Sequence, residues 1–435
     1  MISELNSKCV NTSAALVVQF ILLSPAFAEE VTVDAKLLDD LQQVIKNQQR
    51  QIENQARVLE SLQSQLNQLK ADTAEAKTEA KKATAAVAAA PAAAPEVVTS
   101  GQERVKLSIS GQVNRATNVA SDGKSTKVYF VDNDASNSRV RFVGTAQLND
   151  ELSVGTRIEV AIAPNESSEV SQDNEDSGDF FDERWADLSA THKRYGTLYL
   201  GKGSTASDNS AEQDLSGTDV VQYASIADIM GGLQFRNSNK NLTGISVSDG
   251  FKDFDGLSRQ SRVRYDSPTI GGATLQASYV TNQRWDSAIF WGGKSDTLTA
   301  VAAAAVAEPN EENIDLQYDG SFSMLHTPSG LNLTLSAGMK DSSDGGNPSN
   351  LYGKIGYFAK FSDIGATAFG LDYTRSNNLP DGSFDGNSVS GAVVQHLENY
   401  GTEIYAQFRR YNLNSNDGPN LKAINGGTLG ARVKF

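Results

Sequence analysis

Past residue 104 the side chains alternate between apolar and polar in short runs, separated by Gly, Asn and Asp. No other feature of the 435-residue chain restricts its folding as much. A β-strand sends successive side chains to opposite faces, so each run makes a two-faced ribbon. In VKLSISGQVNRA, Val105, Leu107, Ile109 and Val113 oppose Lys106, Ser108, Ser110, Gln112 and Asn114. In SRVRFVGTAQL, Val140, Phe142, Ala146 and Leu148 oppose Arg139, Arg141, Thr145 and Gln147. The chain ends on TLGARVKF, with Leu429, Ala431, Val433 and Phe435 on one side and Arg432 and Lys434 on the other. Such ribbons suit a sheet with one face in water, or a closed barrel with lipid outside and water inside.

The connections separate the two. Tight turns fall at 149–151, 194–196, 267–272, 362–365 and 399–401, and the reading between them is of long, polar, acidic connections. One consistently short side is the rhythm of a membrane barrel. A soluble sandwich needs a doubly buried layer of large apolar residues, and hydrophobic content is only 39%. The predicted fold is an all-β transmembrane antiparallel barrel spanning residues 104–435. At about 20 residues per strand and loop, roughly 16 strands fit. Fourteen are counted directly, and a pair within 232–248, turning at NSNKN, completes them. An even total leaves both ends in the periplasm. The alanine run 301–307 reads as a short helix in a loop.

The first hundred residues read differently. An apolar stretch at 14–23, then Pro25 and Ala26-Phe27-Ala28, predicts a signal peptide over 1–28. The single cysteine, Cys9, lies upstream of that cut, so the mature chain has no thiol chemistry. From residue 29, Leu38, Leu41, Ile45, Ile52, Leu59, Leu62, Leu66 and Leu69 follow alternating steps of three and four, with Gln48 and Gln55 in the same seam. Such a heptad predicts a periplasmic α-helical coiled coil over 29–83, with a trimer preferred to a dimer. Residues 84–103, rich in Ala and Pro, read as a linker.

Several classes are excluded. With 53 Asp and Glu against 38 Lys and Arg, the chain lacks the basic stripe of a nucleic-acid binder. His192, His326 and His396 show no metal-ligand spacing, and no nucleophile elbow, P-loop or dinucleotide fingerprint is present. Neither enzyme activity nor a metal or other cofactor is expected. The carboxylates of 166–183 lack EF-hand spacing; they read first as a solvated outer loop, with a divalent-cation site or a latch onto a neighbouring subunit as alternatives.

The ordered set KLSISGQVNRA, SRVRFVGTAQLNDELSVGTRIEV, RYGTLYLGKGSTASD, AEQDLSGTDVVQYAS, GLSRQSRVRYDSPTIGG and GARVKF resembles the Gram-negative trimeric porins over most of 104–435. The resemblance implies a water-filled barrel in the outer membrane, a homotrimer in contact with lipid, and a terminal Phe435 read as an assembly signal. It also implies that the connection 204–230 folds inward and narrows the lumen with Glu212, Asp214, Asp219 and Asp228. Strand parity turns Arg139, Arg141, Arg157, Arg262, Arg264, Lys354, Arg409 and Arg432 inward as the basic wall. Opposed charges across a narrow passage set a transverse field that orients polar solutes; the alternative is that these cations merely pair with inward acids such as Glu159 and Asp266. Passive diffusion of small hydrophilic solutes is the expected function. The heptad segment, which such porins as a rule lack, suggests two alternatives: a solute-specific channel for sugars, dicarboxylates or phosphate, or a tether from the outer membrane to peptidoglycan or another periplasmic partner.

Overall fold

In the computed structural model the chain divides into Met1–Pro95 and Glu96–Phe435. The structure describes residues 105–435 apart from 178–180, 344–345, 381, 417 and 419–420, together with Gln43 and Lys46, both helical. The predicted signal peptide, the rest of the coiled coil and the linker lie outside the described residues.

The strands are β1 (Val105–Ser121), β2 (Thr126–Asp132), β3 (Arg139–Gln147), β4 (Leu152–Ala161), β5 (Asp182–His192), β6 (Gly196–Ser204), β7 (Gln234–Arg236), β8 (Leu242–Ser246), β9 (Arg259–Asp266) and β10 (Ala273–Val280). They continue as β11 (Arg284–Lys294), β12 (Leu298–Glu308), β13 (Ile314–His326), β14 (Leu331–Ser342), β15 (Ser349–Ser362), β16 (Gly365–Asn377), β17 (Phe384–Leu397), β18 (Thr402–Ser415) and β19 (Ile424–Lys434). Every pairing is antiparallel, and the ring closes where β1 meets β19, with Val113 opposite Val433 and Val119 opposite Gly427. β2 and β3 both pair with β1, one with its upper and one with its lower half, and so form a single stave interrupted at 133–138. The result is a closed barrel of 16 staves. Closure leaves no unpaired edge in lipid.

The interior and exterior are inverted relative to a soluble protein. Leu188, Leu275, Ile355, Leu371, Phe408 and Leu429 stand exposed on the outer surface, while Glu159, Asp286, Lys354, Asp372, Gln407 and Arg409 are buried inside. Outward aromatics gather near the two rims: Tyr195, Tyr265, Trp291, Phe361 and Tyr400 at one end, Tyr279, Trp285, Tyr318 and Tyr373 at the other. These are the girdles of a membrane-spanning barrel. The wall is low at β9 and β10, with 8 residues each, and tall at β15, β17 and β18, with 14 each.

Three expectations change. Turns at one rim are short throughout, as predicted, but so are most at the other: 122–125, 281–283, 309–313, 343–348 and 378–383. Only 162–181 and 205–258 are long there. The alanine run is no helix; it lies in β12, paired residue by residue with β11 and β13. Alanine's helix preference is a few tenths of a kcal/mol per residue over most side chains, and a full ladder of hydrogen bonds outweighs it. The pair read at 232–248 is real as a hairpin, β7 with β8, but it sits inside the connection 205–258 and contributes no stave.

Candidate functional site

The connection 205–258 folds into the lumen and is fastened to one side of it. Its first half runs along β11 to β15. The backbone N–H of Ser207 donates to Asp286 (2.9 Å), that of Gln213 to Ser321 (3.0 Å), and that of Leu215 to Ser323 (2.9 Å). Lys354 on β15 is almost fully buried and donates to Asp214, to the carbonyl of Gln222 (2.7 Å) and to Thr218 (3.0 Å). Further along, Gln407 donates to the carbonyl of Val221 (2.7 Å), and the Tyr411 hydroxyl lies 2.6 Å from the carbonyl of Ile229. Apolar loop residues then seal the contact: Met230, Leu233, Phe235 and Phe251 pack on Tyr411, Leu413 and Ile424. A barrel interior is normally wet, so this small dry core, made by the loop, fixes the loop's position as a tertiary contact would.

Arg409 lies beneath this layer and forks onto Asp372, with hydrogen bonds of 3.0 and 2.5 Å. Arg432 pairs with Glu403 and also donates to Ser136 (2.7 Å). Lys354, Arg409 and Arg432 therefore point inward as parity requires, but each is buried against a carboxylate rather than presented to open lumen.

The strands not covered by the loop carry the other cations. Glu159 on β4 is fully buried and receives four arginines: Arg139 (3.6 Å), Arg141, Arg157 (2.8 Å) and Arg184 (2.9 Å). The sequence reading missed Arg184, because parity places it outward. The register between β4 and β5 slips beside Glu159, so Trp185 opposes Glu159 while Glu183 opposes Val160, and Arg184 is left unpaired on the ladder. A bulge re-aims the side chain at that position, and here it turns Arg184 onto Glu159. Trp185 also faces the lumen: the Arg157 guanidinium stacks 3.7 Å from its ring centre, and those of Arg259 and Arg184 lie at 5.3 and 5.7 Å. Four arginines thus surround one glutamate, and a fifth, Arg259, lies over the neighbouring Trp185 ring. Lower on the same wall, Arg262 pairs with Asp187 (2.8 Å) and Arg264 with Asp266 (2.7 Å), and both guanidiniums also hold the carbonyl of Ser204 at the root of the loop.

The loop's own carboxylates form a second, opposite patch. Glu212, Asp228, Asp253 and Asp255 are half-buried and gathered together, joined by the Tyr223 hydroxyl bound to Asp228. Desolvation, then repulsion from Asp255, Asp253 and Asp228, pushes the Glu212 carboxyl well above the usual carboxylate range. Burial pushes Asp255 and Asp228 up as well, with neighbouring carboxylates adding to it. Of the predicted loop acids, Asp214 is occupied with Lys354, and Asp219 is exposed. Asp253 and Asp255 were not anticipated; they follow the hairpin, past the stretch singled out. In the other long connection, burial and then the charges of Asp134 and Glu169 raise Glu166 to about 7, and Glu175 pairs with Lys127 (2.6 Å). Among the described residues no group of His, Cys, Asp and Glu has the geometry to hold a metal.

At the C-terminus, Phe435 exchanges backbone hydrogen bonds with Gly111 on β1 (2.9 and 3.0 Å). A Cβ at Gly111 would lie 2.6 Å from the Phe435 ring and 2.6 Å from the Arg139 carbonyl, so the ring occupies the space a side chain would need.

Comparison with known proteins accords with this geometry. The model of the Gram-negative porin family matches residues 83–418. No curated protein matches the sequence. Among solved structures, the anion-selective porin from Comamonas acidovorans shares 14% identity and a TM-score of 0.52, over 76% of this chain and all of that one. OmpT, an outer membrane protein of Vibrio cholerae, shares 14% and 0.52, over 78% and 100%. The outer membrane channel DcaP of Acinetobacter baumannii shares 13% and 0.51, over 78% and 99%. A closed barrel, greasy outside and charged within, with one connection folded into its lumen and a family match over most of its length, leads to one assignment: the chain belongs to the Gram-negative porins, channels of the outer membrane.

Proposed function

We infer that the protein is a passive diffusion channel for small hydrophilic solutes, working as a homotrimer and preferring anions. The observation that carries the preference is the wall at Glu159, where four arginines meet one buried carboxylate and a fifth, Arg259, lies over Trp185 beside it. Solutes pass between this wall and the loop patch of Glu212, Asp228, Asp253 and Asp255. In a narrow passage with low-dielectric walls such fields are focused rather than screened. Burial and mutual repulsion hold the loop acids toward the neutral form, which favours the arginine side of that field. Glycine and alanine on the outside of β3 and β5, at Gly144, Ala146 and Ala190, leave a shallow apolar recess that supports close subunit contact there. An N-terminal signal peptide and a periplasmic coiled coil complete the reading.

The test is the reversal potential of the purified protein in planar bilayers under a KCl gradient. We expect chloride to permeate better than potassium, and the Arg139→Gln/Arg184→Gln double variant to lower that ratio severalfold. A wild-type channel selective for potassium at pH 7 overturns the anion preference.

A further inference from the structure

We propose that the lumen wall next to the arginine cluster, on the side of the 149–151 turn, holds a binding station for a monosaccharide acid: a pyranose ring carrying one carboxylate. The proposal rests on the anion-preferring channel inferred above and names a class of solute it serves. Strand register assembles the station from rows of inward side chains. Thr145, Gly155, Ser189, Tyr199 and Arg264 stand side by side across β3, β4, β5, β6 and β9. The next row, two residues nearer Glu159, holds Arg157, Asp187, Gly201 and Arg262. Glycines keep this part of the wall hollow. A Cβ at Gly155 would lie 2.7 Å from the Ser189 hydroxyl and cover it, and one at Gly203 would come within 2.5 Å of the Trp185 ring. What remains is a cavity of about 330 Å³, bounded by Trp185 at one end and Tyr199 at the other.

The two rows offer different chemistry. Arg262 and Asp187 neutralise each other (2.8 Å), as do Arg264 and Asp266 (2.7 Å), so the lower part of the cavity has little net charge with which to hold a bare anion. Asp187 engages Arg262 through one carboxylate oxygen. Its other oxygen and the hydroxyls of Ser189 and Thr145 have no side-chain partner among the described residues. Such a set both donates and accepts, which suits the hydroxyls of a sugar. The Tyr199 ring beside them is held by the guanidiniums of Arg262 and Arg264, 5.6 and 5.4 Å from its centre, and gives the ring of a sugar an apolar surface. Arg157 supplies the charge. It holds Glu159 through a terminal nitrogen (2.8 Å) and lies flat on Trp185, while its Nε is buried with no hydrogen-bond partner among the described residues. A buried N–H left unpaired is costly, and a carboxylate seated there satisfies it. Arg157 and Tyr199 are one row apart, about 7 Å along the strands. A simple carboxylate on Arg157 falls short of Tyr199, whereas a six-membered ring bearing a carboxylate reaches both.

Single-channel recording of the purified full chain in planar bilayers, in dilute KCl with potassium glucuronate added, tests this. We expect current interruptions that grow with glucuronate and saturate, with half-saturation at least tenfold weaker in Tyr199→Ala and in Asp187→Asn. Glucose, which lacks the carboxylate, and gluconate, which lacks the ring, should each require at least tenfold more. Tyr318→Ala, on the outer face of β13, should respond as wild type does. Heat-modifiable migration on gels checks that each variant is a folded barrel; if Asp187→Asn does not fold, Tyr199→Ala decides. The station is refuted if the wild type shows no saturable interruption, if folded Tyr199→Ala responds as wild type does, or if gluconate binds as tightly as glucuronate. Reversal potential on the same membranes reads the anion preference separately. Chloride selectivity without saturable interruptions removes the station alone, and potassium selectivity with them removes the preference and leaves the station standing.

Discussion

Arg184 reaches the lumen through a single slipped residue, and this shows how far one side chain's position depends on its backbone. Strict alternation sends it to lipid; the bulge opposite Glu159 sends it inward. Such a slip leaves no mark in an alternating sequence, whereas the inward turn of Arg139, Arg141 and Arg157 was legible because their strands keep register. The loop acids give a residue-scale prediction. A carboxyl whose value is raised stays neutral below that value and ionises above it, so the loop patch gains negative charge as pH rises past the ordinary carboxylate range. The arginines keep their charge throughout. Chloride preference should therefore fall as pH rises past that range. Glu212→Gln/Asp255→Asn should flatten the profile, as read by reversal potential at each pH; an equally steep profile in the variant would place the titrating groups elsewhere.

At the scale of elements, the inward loop is held by specific pairs rather than by its own secondary structure. Lys354→Met leaves Asp214 half-buried without its cation, and breaking a buried pair from one side costs about 3–5 kcal/mol. The expected result is a lower temperature for the gel-mobility transition and added fluctuation in the single-channel current. The terminal strand is a second case. Gly111→Val should displace Phe435 from its seat and reduce the folded, heat-modifiable fraction, while Gly427→Ala, whose Cβ would approach nothing closer than 3.9 Å, should not. Strands with clean alternation, such as β1 and β19, were readable from sequence. The alanine stave β12 and the β7–β8 hairpin were not, since what decides them is which neighbour offers a ladder, and that is information held in distant residues.

For the whole molecule, the barrel and its N-terminal segment are separate questions. If residues 29–90 serve only to anchor or space the channel, a chain lacking them keeps its single-channel conductance and selectivity; loss of conductance in that deletion would make the segment part of the pore. The general plan, closed and water-filled, was legible because alternation extends over three hundred residues and no soluble core could be assembled from it. The division of the lumen was not: Gln222 meets Ser390 at a separation of 168 residues, and Gln407 meets Val221 at 186. Contacts so far apart in sequence form late. The strands that grip the inward loop, from β11 to β18, all follow it in the chain, so a barrel still zipping shut has no aperture of defined width. Calibration of the passage then waits on the last strands to arrive, and a chain stalled before that point would be an open leak rather than a slow filter.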